Sequence, residues 1–153
     1  MGDEAKAFEE YLKKHALHLT GPRHLVLKAV FGTHEHFTAD DLISHIQKSG
    51  APVSKATVYR TLQLLRDCNL LIEHDFGQGK AYYEHASGLE HHGHLYCTEC
   101  GQIVEFYEAK LNALQDAIAR QEGFEPAQYV VKIYGRCARC LEARARRTSG
   151  GTA

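Results

Sequence analysis

The sequence predicts an α+β protein in two parts, and three observations carry that expectation. Residues 4–68 show repeated helical periodicity and are followed by a short hairpin. Residues beyond 93 alternate short β-branched or aromatic runs with one further helix. Two Cys-x-x-Cys pairs, Cys97/Cys100 and Cys137/Cys140, bracket that second part. The expected architecture is an N-terminal winged helix over 1–85, a linker over 86–93 and a small α/β dimerisation domain over 94–143. That last domain is expected to hold an antiparallel sheet and a structural zinc site, with a disordered tail over 144–153.

Each element has its own signal. Residues 4–17 form a short amphipathic helix with Phe8 and Leu12 on one face. Thr20-Gly21-Pro22 breaks it and starts a helix over Arg23–Thr33, whose core stripe is Leu25, Val26, Ala29 and Val30. Thr38 and Asp41 have the spacing of a capping box and open a helix to about Lys48. Ser54 caps a helix to Cys68, packed through Val58, Leu62 and Leu65, and Asn69 suits the left-handed turn after it. Leu70–His74 and Lys80–Glu84 are strands around Gly77-Gln78-Gly79. In the second part, His94–Cys97, Gln102–Phe106 and Ala127–Tyr134 read as strands. Glu108–Gln121 reads as a helix with Leu111, Leu114 and Ile118 along one side. This part is small, so zinc and dimerisation are its two plausible supports.

Helices followed by a hairpin give the order of a winged helix, whose last helix presents one face outward. Lys55, Ala56, Thr57, Tyr59, Arg60 and Gln63 are the candidate DNA contacts there, with Lys80 beside the wing turn and Arg23 upstream. Arg and Gln read base edges, and Tyr offers an apolar edge to thymine methyls or sugar. A solvated helix face fits the same residues. Charge does not decide between them: net charge is −1, and residues 1–85 carry 10 Lys+Arg against 11 Asp+Glu. That balance weighs against a nonspecific polyanion binder.

Four thiolates in two i,i+3 pairs can close a tetrahedral site around Zn²⁺, and Gly101 suits the turn of the first knuckle. A dithiol switch is the alternative. The acidic start MGDEAKAFEE has no apolar signal core, and Lys6 breaks the myristoylation pattern. No apolar run is long enough to span a membrane. A cytoplasmic protein with reduced thiols is expected.

The eleven histidines cluster. Glu84, His91-His92-Gly93-His94 and Glu105 form a second donor set. His92 and His94 are two apart, so on a strand they share a face. Mixed His and carboxylate donors suit Fe²⁺, Mn²⁺, Zn²⁺, Co²⁺ or Ni²⁺ without choosing among them. The bland reading is a hydrophilic hinge that happens to be His-rich.

TVYRTL in the winged helix, HHGH directly before CTECG, and the late CARC closely resemble the ferric uptake regulator family of metal-dependent repressors, over roughly residues 8–140. The resemblance implies a homodimer that binds palindromic operator DNA when a regulatory metal is present, with possible higher assembly. It implies structural zinc on Cys97, Cys100, Cys137 and Cys140. It also implies a regulatory site of His36, Glu84, His92, His94 and Glu105, of which His36 comes from the resemblance alone. The three-His, two-Glu set resembles the iron-responsive branch, with Zn²⁺ or Mn²⁺ able to substitute for Fe²⁺. Zinc-sensing relatives commonly use a Cys in this site, and peroxide-sensing relatives tend to have Asp at the positions of Glu84 and Glu105. A further family site is expected to be absent or crippled, because Gly93, Asn112 and Tyr129 stand where its pattern has Asp, Glu and His beside His91. His18 stands where a basic residue usually precedes the TxPR motif.

Enzyme readings lack their motifs. No H-x-E precedes a P-C-x-x-C, as a zinc deaminase requires. His34-Glu35-His36 has the wrong spacing for a zinc hydrolase. A thiol–disulfide redox protein remains the reading from another class. Cys68, three residues after Leu65, is expected to pack.

Overall fold

In a computed structural model the chain forms two compact units, Met1–Gly88 and Leu89–Ala153. The structure describes residues 2–33, 36–86 and 92–149.

The first unit begins with α1 (Gly2–Lys14), which buries Phe8 and Leu12 and places acidic residues in its first turn and lysines in its last, in the sense the helix dipole favours. It is followed by α2 (Gly21–Phe31), β1 (Phe37–Thr38), α3 (Ala39–Lys48) and α4 (Lys55–Asp67). The hairpin strands β2 (Leu71–Asp75) and β3 (Ala81–His85) close the unit. The capping box at α3 is present in both directions: the Asp41 N–H donates to Thr38 Oγ1 at 3.2 Å and the Thr38 N–H to Asp41 Oδ2 at 2.9 Å. Ser54 caps α4 through the Thr57 N–H. Asn69 takes the left-handed conformation (φ 56°), which lets the Leu70 N–H reach back to the Leu65 carbonyl.

The core of this unit joins Phe8 and Leu12 of α1 to Val26, Leu27 and Val30 of α2, Leu42, Ile43 and Ile46 of α3, and Val58, Leu62 and Leu65 of α4. Val26 and Val30 are buried as expected and Ala29 packs beside them, but Leu27 at 2% exposure takes the place expected of Leu25, which is 36% exposed. Both leucines lie near the edge of an apolar arc that includes Val26 and Val30, and only neighbouring helices choose between them. Strand β1, two residues long and not anticipated, pairs with β3 and completes a sheet of order β1-β3-β2. Its core face carries Phe37, Leu71 and Tyr83.

The second unit contains β4 (Gly93–Cys97), β5 (Ile103–Phe106), α5 (Ala109–Gln121), β6 (Lys132–Gly135) and α6 (Ala138–Ser149). The sheet order is β5-β4-β6. β4 and β5 are antiparallel, but β4 and β6 are parallel, which corrects the expectation of a wholly antiparallel sheet. The tail expected to be disordered from Arg144 is helical through Ser149, because α6 continues from the second cysteine knuckle. Residues 150–153 of that expected tail lie outside the described residues, as do 87–91 of the linker.

Among the described residues this unit buries few apolar side chains, chiefly Tyr96 and Cys97. The apolar side of α5 is exposed, Leu114 by 56% and Ile118 by 52%. No helix among the described residues is long and apolar enough to cross a membrane.

Candidate metal centres and DNA-facing helix

The tetrathiolate is assembled by the parallel pairing. Cys97 ends β4 and Cys137 follows β6. Both knuckles leave the C-terminal ends of their strands, and two such ends share one edge of a sheet only when the strands run parallel. Register pairs Cys97 with Gly135, and the Thr98 N–H bonds the Gly135 carbonyl at 2.8 Å. Gly101 turns the first knuckle at φ 72°, with its N–H on the Cys97 carbonyl. The Cys137 carbonyl accepts the first N–H bonds of α6, placing Cys140 in that helix's first turn.

The Sγ atoms of Cys97 and Cys140 are 3.8 Å apart and those of Cys100 and Cys137 are 3.7 Å apart. All four lie within 4.8 Å of one another. A tetrahedron of sulfurs about 2.3 Å from a central zinc has edges of about 3.8 Å, so the donor set fits that ion. Backbone N–H groups of Cys137 and Cys100 lower the Cys97 thiol to about 6. The Gln102 backbone and then the Arg139 guanidinium lower Cys100. Cys140 is pushed up to about 12, first by its hydrogen bond to Cys137 and then by burial. A proton shared among clustered sulfurs is what a cation displaces. None of these cysteines is in a disulfide.

A second cluster lies on the outer face of the first unit's sheet. Register pairs Phe37 with Tyr83, and continuing it by one residue sets His36 beside Glu84. On the other side, His74 pairs with Tyr82 and so lies diagonal to Glu84 on the same face. Glu84 therefore sits on the central strand between two imidazoles. Its Oε2 is 2.8 Å from His36 Nε2 and its Oε1 is 2.8 Å from His74 Nε2. Glu84 and His74 are each only 7% exposed. The ring of Phe76, buried just beyond the end of β2, stacks on His74.

The second unit carries its own donors. His94, buried on β4, pairs directly with Glu105 on β5, and the His92 ring lies 4.8 Å from that of His94. One ligand atom from each of these three residues lies within 4.8 Å of the others. His91, His34 and Glu35 lie outside the described residues. Gly93 has a structural reason for its identity: a β-carbon there would sit 2.4 Å from the Phe106 ring. Tyr129 donates a hydrogen bond to Asp116, and Asn112 is on α5. None of these three positions supplies a His or carboxylate donor to a further site.

On α4, Lys55, Ala56, Tyr59, Arg60 and Gln63 face outward while Val58, Thr61, Leu62 and Leu65 are buried. Lys80 is exposed beside the wing turn. Thr57 is partly buried, its hydroxyl 2.9 Å from that of Ser54 in the helix cap. Arg23 is half-buried, with Nη1 donating to the His18 carbonyl at 2.7 Å. Cys68 is partly buried, its thiol donating to the Leu65 carbonyl.

Sequence reasoning missed His74. The available signal was its place in the hairpin: a histidine two residues from the position opposite Glu84 shares that residue's face once the turn fixes register.

Helices closed by a wing, an outward recognition face, a tetrathiolate and two His/carboxylate clusters define a metal-binding, DNA-binding regulator. The ferric uptake regulator family model matches residues 14–134, and the chain belongs to that family. It is a metal-responsive transcriptional regulator. The match ends just before Cys137. A ferric uptake regulation protein of Neisseria meningitidis is 37% identical over 131 residues, covering 84% of this chain and 90% of that protein. Among solved structures, the Francisella tularensis ferric uptake regulator with iron is 32% identical with a TM-score of 0.73, covering 80% of this chain and 92% of that one. The Campylobacter jejuni peroxide stress regulator is 34% identical with a TM-score of 0.67, covering 86% and 97%.

Proposed function

We infer that the protein is an Fe²⁺-dependent repressor that binds a palindromic operator as a homodimer in the cytoplasm. The observation that carries this reading is that each unit holds part of a mixed His/carboxylate donor set. His36 and Glu84 lie 2.8 Å apart in the first, and His94 pairs with Glu105 beside His92 in the second. These five residues would be the regulatory ligands. Nitrogen and carboxylate donors together suit Fe²⁺ and leave Mn²⁺ or Zn²⁺ as substitutes. Cys97, Cys100, Cys137 and Cys140 would hold the structural zinc.

The mechanism follows from the charges. Without a cation, Glu84 and Glu105 repel if brought together. A bound divalent ion supplies the positive charge that offsets them. His36 and Glu84 would share that ion with His92, His94 and Glu105, which would fix the orientation of α4. A palindrome accepts one spacing of two recognition helices, so the fixed form binds more tightly. Coupling of this kind is usually worth about 1–3 kcal/mol. Tyr59, Arg60 and Gln63 would meet base edges, with Lys55 and Lys80 on phosphates. The exposed Leu114 and Ile118 of α5 suit burial against a second copy.

The experiment is operator binding titrated with Fe²⁺, Mn²⁺ and Zn²⁺ at buffered free concentrations. Affinity should rise with Fe²⁺ in the wild type and not in Glu105→Ala. A response to Zn²⁺ alone at physiological free levels, or none to any of the three, refutes the iron reading. The likeness to a peroxide stress regulator favours a second reading, in which a ligating histidine is oxidised when iron meets peroxide. Mass spectrometry of the ligands after peroxide treatment separates the two.

A further inference from the structure

The geometry points to a divalent-cation site complete within the first unit, formed by His36, His74 and Glu84, in which His74 is a metal ligand. It shares two residues with the regulatory set proposed above and deepens that reading. The binding itself depends on the first unit alone; only its consequence for the switch rests on the two-unit site.

Three lines of geometry converge. The sheet order β1-β3-β2 places Glu84 on the middle strand and delivers one imidazole from each side. Each Nε2 is 2.8 Å from a different oxygen of the same carboxylate. Donors at right angles and about 2.1 Å from a common ion stand about 3.0 Å apart, so the side chains need part by only a few tenths of an ångström. The ligand atoms of the three residues all lie within 4.8 Å of one another. The side chains of all three are 9% exposed, and a charge in such surroundings gains more from a nearby cation than it would in water. Two histidines and one carboxylate with open positions are also a preferred donor set for Fe²⁺.

For the switch, His36, His74 and Glu84 would hold an ion with coordination positions left for His92, His94 and Glu105 of the regulatory set.

The test uses the full chain with its tetrathiolate filled by zinc and Co²⁺ as the spectroscopic probe. In the triple variant His92→Ala, His94→Ala, Glu105→Ala, one equivalent of Co²⁺ should still bind and give a ligand-field spectrum without thiolate charge transfer. Adding His74→Ala should weaken that binding about tenfold or more. Adding His74→Gln, which keeps a hydrogen-bond donor for Glu84 and guards against misfolding, should weaken it similarly, with helicity and melting as folding controls. No Co²⁺ bound by the zinc-filled triple variant overturns the proposal. So does a His74→Gln variant with unchanged affinity and spectrum, which would make His74 a hydrogen-bond partner only. Operator binding by the triple variant reports separately on the switch: continued stimulation by metal sinks the two-unit reading while leaving the first-unit site standing.

Discussion

Replacing Cys137 by Ser tests how the second unit is held together. The serine keeps the backbone N–H that faces Cys97 Sγ at 3.3 Å and the carbonyl that starts α6, so the substitution isolates the donor atom. A structural zinc site contributes about 10–16 kcal/mol of apparent binding free energy near neutral pH. Losing one thiolate of four in simple proportion would forfeit about 2.5–4 kcal/mol. A unit of this size draws only about 3–5 kcal/mol from its core. Here that core is thin, since Tyr96 and Cys97 are its chief buried apolar residues. The side chains of 141–147 on α6 are all exposed, and an isolated helix of that length is marginal. Cys137→Ser should therefore lose tightly held zinc and unfold the second unit, while the first unit keeps its helicity and melting. Zinc content, differential scanning calorimetry and protease resistance of residues 92–149 read the outcome. A variant that retains one zinc per chain and a folded second unit would refute the reasoning.

Three further outcomes follow from placement. Glu105→Ala and His92→Ala should abolish metal-stimulated operator binding while sparing the tetrathiolate zinc, and His91→Ala should do much less; equal losses for His91 and His92 would show the ion is held otherwise. Arg60→Ala should cost about 1–3 kcal/mol of specific binding if it reads a base, with melting unchanged, while Lys80→Ala should weaken binding to all sequences and reduce its salt dependence. Arg60→Ala that unfolds the protein would place that side chain wrongly. Burial raises the Cys68 thiol above its ordinary range, so little thiolate exists near neutral pH and alkylation should be slow there, quickening as pH rises. Peptide mapping after timed alkylation of zinc-loaded protein checks this, and labelling at the rate of a free cysteine near pH 7 would count against it.

What the sequence determined by itself was local. The capping box at Thr38 and Asp41, the Ser54 cap and the left-handed Asn69 are all in place, because each depends on neighbours within a few residues. The buried side of α4 follows from spacing alone, since a helix has one period. His92 and His94 meet for the same kind of reason, being two apart at the start of a strand. Two Cys-x-x-Cys pairs were enough to imply a tetrathiolate.

Only the tertiary structure decided the rest. His36 and Glu84 are 48 positions apart in sequence (84 minus 36), and what joins them is the register of a two-residue strand that no pattern announced. His74 enters the same cluster only once the hairpin register is fixed. The parallel run of β6 beside β4 was implied by chemistry and missed by pattern: two knuckles leaving strand ends can share an ion only from the same edge. α6 is rich in arginine and its side chains from 141 to 147 are exposed, so its composition resembles a tail, yet a helix that starts from a cysteine knuckle needs no core to begin. Periodicity states which face of an element is apolar. Which element lies beside it is a long-range choice, set by strand register and by the ligands that distant segments bring to one point.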